Sequence, residues 1–100
     1  MPKLTTRVPH QLGCAEATLR IERMLSDVRQ QFGHEIEKLE SVWEDTTLKF
    51  LADARGFNVQ GHVTVENDAV HVHATLPLAA ALLKGYIERT VTEKLGTALS

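Results

Sequence analysis

Residues 39 to 76 repeat with a period of two, and that period leaves few folds open. Leu39, Ser41 and Trp43 share one parity, and Leu48, Phe50 and Ala52 share the next. Phe57, Val59, Gly61, Val63 and Val65 follow, then Val70, Val72, Ala74 and Leu76. Alternation of this kind marks strands with one buried and one wet face. Between the runs lie EDTT (44–47), DARG (53–56) and ENDA (66–69), all turn chemistry. With Asn67-Asp68 at the tip of the last hairpin, Val65 faces Val70, Val63 faces Val72 and Gly61 faces Ala74. With Ala54-Arg55 at the middle tip, Ala52 faces Phe57, Phe50 faces Val59 and Leu48 faces Gly61. With Asp45-Thr46 at the first tip, Trp43 faces Leu48 and Ser41 faces Phe50. The three turns yield one continuous apolar face. A one-residue slip in any of them would carry that strand's apolar set into water.

The flanks supply what covers this face. Leu4, Thr6 and Val8 alternate in a short strand that Pro9 ends, because proline cannot donate to a ladder. Ala17, Ile21, Met24, Leu25, Val28 and Phe32 form one helical stripe over residues 14–32, and Gly33 is a natural stop. Pro77 closes the last strand. Leu83, Ile87, Val91 and Leu95 step by four along a helix over about 78–98. Gly85 costs that helix about 1 kcal/mol against alanine, which suggests a close approach to the sheet or a partner. The expected fold is a single α+β domain over residues 1–100. It is a two-layer sandwich with the order β-α-β-β-β-β-α. Its antiparallel sheet runs 2-3-4-5-1, with both helices on one face.

Composition narrows function by exclusion. The net charge of −2 offers no basic excess for nucleic acid. One cysteine, Cys14, allows no internal disulfide and fits a reducing, cytoplasmic setting. The opening MPKLTTRVPHQLG has no apolar run for a signal peptide, and LPLAAALL (76–83) is far short of the about 20 residues of a membrane span. There is no glycine-rich phosphate loop and no nucleophile elbow, so neither an enzyme nor a cofactor is expected.

Three histidines raise a metal question. The register sets His62 opposite His73, with His71 on the same face and opposite Thr64. Neutral imidazoles so placed suit Zn²⁺ or Cu²⁺, and their mutual charging would sense acid pH. The same face carries Asn58, Gln60, Thr64 and Glu66, as any wet sheet face would, and no Asp or Glu is spaced to support the rings. The solvated-face reading is the stronger one.

The segment 78–83 is more informative. Leu78, Ala79, Ala80, Ala81, Leu82 and Leu83 are apolar around most of a helix, more than one sheet-facing stripe can use. Either the helix start is well buried, or Leu78, Leu82, Leu83 and Tyr86 meet a second protomer or another hydrophobic surface. A curved sheet closed by a long C-terminal helix also resembles helix-grip folds that hold apolar ligands. A pocket lined by Trp43, Phe50, Phe57, Val63 and Ile87 would serve such a carrier.

Several local patterns resemble one family. RVPHQLGCAEA (7–17) is similar to its strand-to-helix opening, and WEDTTLKF (43–50) to its Trp-Glu-turn-Thr-Leu-x-Phe hairpin. GHVTVENDAVHVHATLP (61–77) and LKGYIE (83–88) resemble its later segments, in the same order. The family is the polyhydroxyalkanoic acid system proteins of bacteria. His10, Gly13, Trp43, Gly61, Lys84 and Gly85 fall on its pattern. Asp45-Thr46 departs from it, a glycine being expected in that turn, and His71 and His73 lie outside it. The resemblance implies a non-enzymatic, cytoplasmic accessory protein of storage-polyester metabolism. Its expected partner is a granule surface or a granule-associated protein, with a homodimer expected as well. A metal-binding protein through His62, His71 and His73 is the third reading.

Overall fold

A computed structural model describes residues 2–54 and 56–100. In chain order the elements are β1 (Lys3–Pro9), α1 (Cys14–Phe32), β2 (Ile36–Glu44), β3 (Thr47–Ala54), β4 (Phe57–Val65) and β5 (Ala69–Thr75). A 3₁₀ segment (Leu78–Leu83) and α2 (Lys84–Leu99) follow. The strands form one sheet in the order β1-β5-β4-β3-β2, every neighbouring pair antiparallel, as the alternation predicts. Both helices lie over the apolar face.

Two of the three expected hairpin registers hold. Val65 pairs with Val70 and Val63 with Val72 across β4 and β5, and Trp43 pairs with Leu48 across β2 and β3. The middle hairpin differs by two residues: Leu48 faces Val63, Phe50 faces Gly61 and Ala52 faces Val59. Pairing runs on to Ala54 opposite Phe57, so the expected tip at Ala54-Arg55 is displaced; Arg55 itself lies outside the described residues. Gly56 has a φ of +83°, a left-handed conformation that glycine alone adopts without strain, and the turn forms around it. A shift of two preserves the face of every side chain, so the core survives while the rows move. In the first hairpin Asp45 takes a φ of +56°, where glycine would be easier.

The ends of both helices also differ from expectation. Helix α1 stops at Phe32, but Gly33 stays right-handed (φ −57°, ψ −28°), and the chain leaves through a turn in which Glu35 N–H donates to Phe32 O at 2.9 Å. The expected single helix over 78–98 begins instead as 3₁₀, with α-helix from Lys84. Leu76 N–H donates to Pro2 O and Ala80 N–H to Pro77 O, each at 2.9 Å, which ties this start to β1 and tightens it. A side chain on Gly85 would meet nothing within 4 Å. The close approach is at Gly61, where a Cβ would lie 2.8 Å from Ala74 Cα and 3.0 Å from the Phe50 ring.

The helices cover the sheet unevenly. Leu4, Ile21, Leu48, Val65, Val70 and Leu95 are fully buried, on β1, the start of β3, the end of β4, β5 and the inner sides of the helices, as is Leu76 just past β5. Ile36, Leu39, Trp43 and Phe50, on β2 and β3, are only half-buried. The accessible surface is 6384 Å², against about 5,700 Å² for a folded monomer of this mass.

Candidate functional site

Between β1 and α1, His10 is the one buried polar side chain among the described residues. Its Nδ1 accepts the Leu12 N–H at 3.1 Å, so Nε2 carries the proton and donates to Glu66 O at 2.9 Å. His10 N–H also donates to Asp68 O at 2.9 Å. Gly13 follows at φ +80° and has no side chain to cap α1. Asn67 does so from the β4–β5 turn, its Oδ1 accepting the Cys14 N–H at 3.2 Å. The Cys14 thiol donates to Val65 O at 3.6 Å. His10, Gly13, Cys14 and Asn67 are thus a clamp fastening one turn to another. Sequence reasoning missed Asn67, whose capping partner lies 53 residues away.

The wet face places its histidines as the register predicts. His62 and His73 stack with centroids 5.0 Å apart and planes inclined by 29°. His71 turns from them, its Nε2 2.5 Å from Glu66 Oε1. The expectation that no acid would support these rings is therefore corrected: Glu66, just beyond β4, folds back to His71. Among the described residues no three His, Cys, Asp or Glu side chains converge as a metal cage would require.

Between the sheet and the helices lies a cavity of about 280 Å³. Phe50, Val63 and Ile87 line it, as expected for a carrier; Trp43 and Phe57 do not. The two-residue shift explains Phe57, which pairs with Ala54 at the hairpin end and not with Ala52. Trp43 sits outside, over a shallow groove with Leu25 and Arg29. Small side chains open the space: Ala52 and Ala74 line it, and Gly61, between Phe50 and Ala74, adds no side chain to that face. Among the described residues Lys94 is the one charged residue in the wall. Its ammonium lies 5.5 Å from the Phe32 ring centroid. The space is partly open to solvent, and its apolar wall gives water little to bond.

The second feature is an exposed cluster at the start of the C-terminal helical region. Leu82 is 98% exposed, Leu78 76%, Tyr86 67% and Leu83 48%. A 3₁₀ segment turns one residue in three inward. Ala80, 2% exposed, takes that place, Leu78 and Leu82 point away, and Leu83, one turn after Ala80, is half-exposed. Among the described residues no helix is long and apolar enough to cross a membrane.

These features define a class: a small α+β protein with an antiparallel sheet, two helices on one face, an apolar cavity between the layers and a leucine cluster outside. The chain belongs to the family described as "Putative polyhydroxyalkanoic acid system protein", whose model matches residues 4–99. None of the curated proteins matches it in sequence. Among solved structures it is similar to Ara h 8.0201, at 9% identity and a TM-score of 0.46, over 98% of this chain and 94% of that one. It is also similar to a truncated norcoclaurine synthase from Thalictrum flavum, at 9% identity and a TM-score of 0.48, over 98% and 90% of the two chains.

Proposed function

We propose that this protein is a non-enzymatic accessory protein of polyhydroxyalkanoate metabolism that attaches to the storage granule through Leu78, Leu82, Leu83 and Tyr86. The observation that carries the reading is the exposure of this cluster, with Leu82 98% open to solvent on a chain of this family. Burying a leucine-sized side chain contributes about 2 kcal/mol. Four together supply a gross gain large enough to offset part of the cost of association. The non-enzymatic reading is supported by the histidines and the thiol: both His10 ring nitrogens, the His71 Nε2 and the Cys14 Sγ already have partners within the fold.

The test is fractionation of tagged protein from polyester-producing cells, with Leu82→Glu beside the parent. The parent is expected in the granule fraction and the variant in the supernatant. Finding both in the supernatant, or both on granules in equal yield, would refute the reading. The homodimer expected from the sequence would compete for the same leucines. Sedimentation velocity of the purified protein separates the two, because a parent dimer that Leu82→Glu converts to monomer assigns the cluster to a second copy.

A further inference from the structure

We infer that the cavity between the sheet and the helices is a binding site for one unbranched, medium-length alkanoic acid, with its chain inside and its carboxylate at Lys94. The volume sets the length. Set against a cavity of about 150 Å³ that holds one six-carbon ring, 280 Å³ takes one chain of roughly eight to ten carbons. A lipid with two long acyl chains does not fit.

The wall sets the chemistry. Ile21, Leu48, Val72 and Leu95 surround the interior, and no polar side chain among the described residues points a donor or acceptor into it. A chain that carried a polar group deep inside would leave that group unpaired. Lys94 fixes the orientation. It belongs both to the cavity wall and to the groove between α1 and α2, as Met24 and Val28 do, so cavity and groove share one wall there. That groove also carries Arg20, Arg23, Asp27 and Glu93. Arg20 is committed to Glu16 and to the Ala98 and Ser100 carbonyls. The Lys94 ammonium lies over the face of Phe32, and among the described residues Lys94 is the one cation that lines both the cavity and the groove. An acid bound tail-first would place its carboxylate beside it. The inference stands apart from granule attachment, because the leucine cluster does not line the cavity.

Calorimetric titration of the full chain with hexanoate, octanoate, decanoate and dodecanoate, all below their micelle thresholds, tests the site. Affinity is expected to rise about fourfold per added methylene and to level off at eight to ten carbons. A hydroxyl at the far end of the chain, as in 10-hydroxydecanoate, is expected to weaken binding about tenfold, since it would enter the apolar interior. Filling the cavity from α2 with Val91→Phe, or from the sheet with Ala52→Leu, is expected to weaken decanoate at least tenfold while the melting temperature holds or rises. Having one variant on each wall covers the failure of either to fold. Lys94→Gln is expected to weaken octanoate up to about fivefold and to leave octanol unchanged. Leu82→Glu is expected to bind decanoate as the parent does. The inference is overturned if the parent binds none of the acids at millimolar concentration. It is equally overturned if both filled variants bind decanoate undiminished, or if 10-hydroxydecanoate binds as tightly as decanoate.

Discussion

Two residues that match the family's pattern are explained by backbone and packing. His10 satisfies both ring nitrogens inside the clamp, so His10→Ala removes two hydrogen bonds and leaves the Glu66 carbonyl and Leu12 amide short of partners. The expected loss is about 1–3 kcal/mol, read from urea denaturation. Asn67→Ala, which removes only the cap on α1, should cost about 1 kcal/mol. Gly61 is under a harder constraint, since its missing Cβ would press on the β5 backbone. Gly61→Ala should destabilise by about 2–3 kcal/mol, measured the same way. The sequence showed Gly61 only as an interruption in a strand of valines. Its reason lies across the sheet, in Phe50 and Ala74, and alternation alone cannot supply that.

At the scale of elements, turns were the least legible features, because a single left-handed residue decides each. Parity along a strand specifies which face a side chain takes, and every strand was readable on that basis. Parity does not distinguish a register from one two residues away, and the middle hairpin used that freedom, with Gly56 choosing the outcome. In the first hairpin the left-handed position falls on Asp45. Asp45→Ala should therefore lose about 1 kcal/mol while Asp45→Gly stays near the parent, as thermal melts would show. The C-terminal helix followed its four-residue steps only from Lys84. Ahead of it, the Pro77 and Pro2 carbonyls drew the chain into a 3₁₀ turn. Gly85 meets no neighbour, so in the isolated protein Gly85→Ala should stabilise α2 by about 0.5–1 kcal/mol. A loss of stability instead would mean that the glycine has a close neighbour.

Across the whole molecule, the sheet is covered well over β1, β5, the end of β4 and Leu48 of β3, and thinly over β2 and the rest of β3 and β4. That asymmetry produces both the large accessible surface and the cavity. Leu82→Glu should leave stability within about 0.5 kcal/mol of the parent, because that side chain touches almost nothing. A larger loss, seen in denaturant melts of dilute protein, would show that the cluster is packed within the molecule. The sequence alone determined the element order, the antiparallel pairing, the strand order and the apolar face, because each follows from local periodicity and from the direction in which short turns return a chain. It marked residues 78–83 as more apolar than one stripe can use, and left open whether they are buried or exposed. Only the tertiary structure decided that Asn67 caps α1, that Glu66 holds His71 and that the cavity is walled by Phe50, Val63 and Ile87 without Trp43 or Phe57. Each of these depends on distances between segments far apart in the chain, set by how tightly two helices of fixed diameter settle on a twisted sheet, and no periodicity encodes that distance.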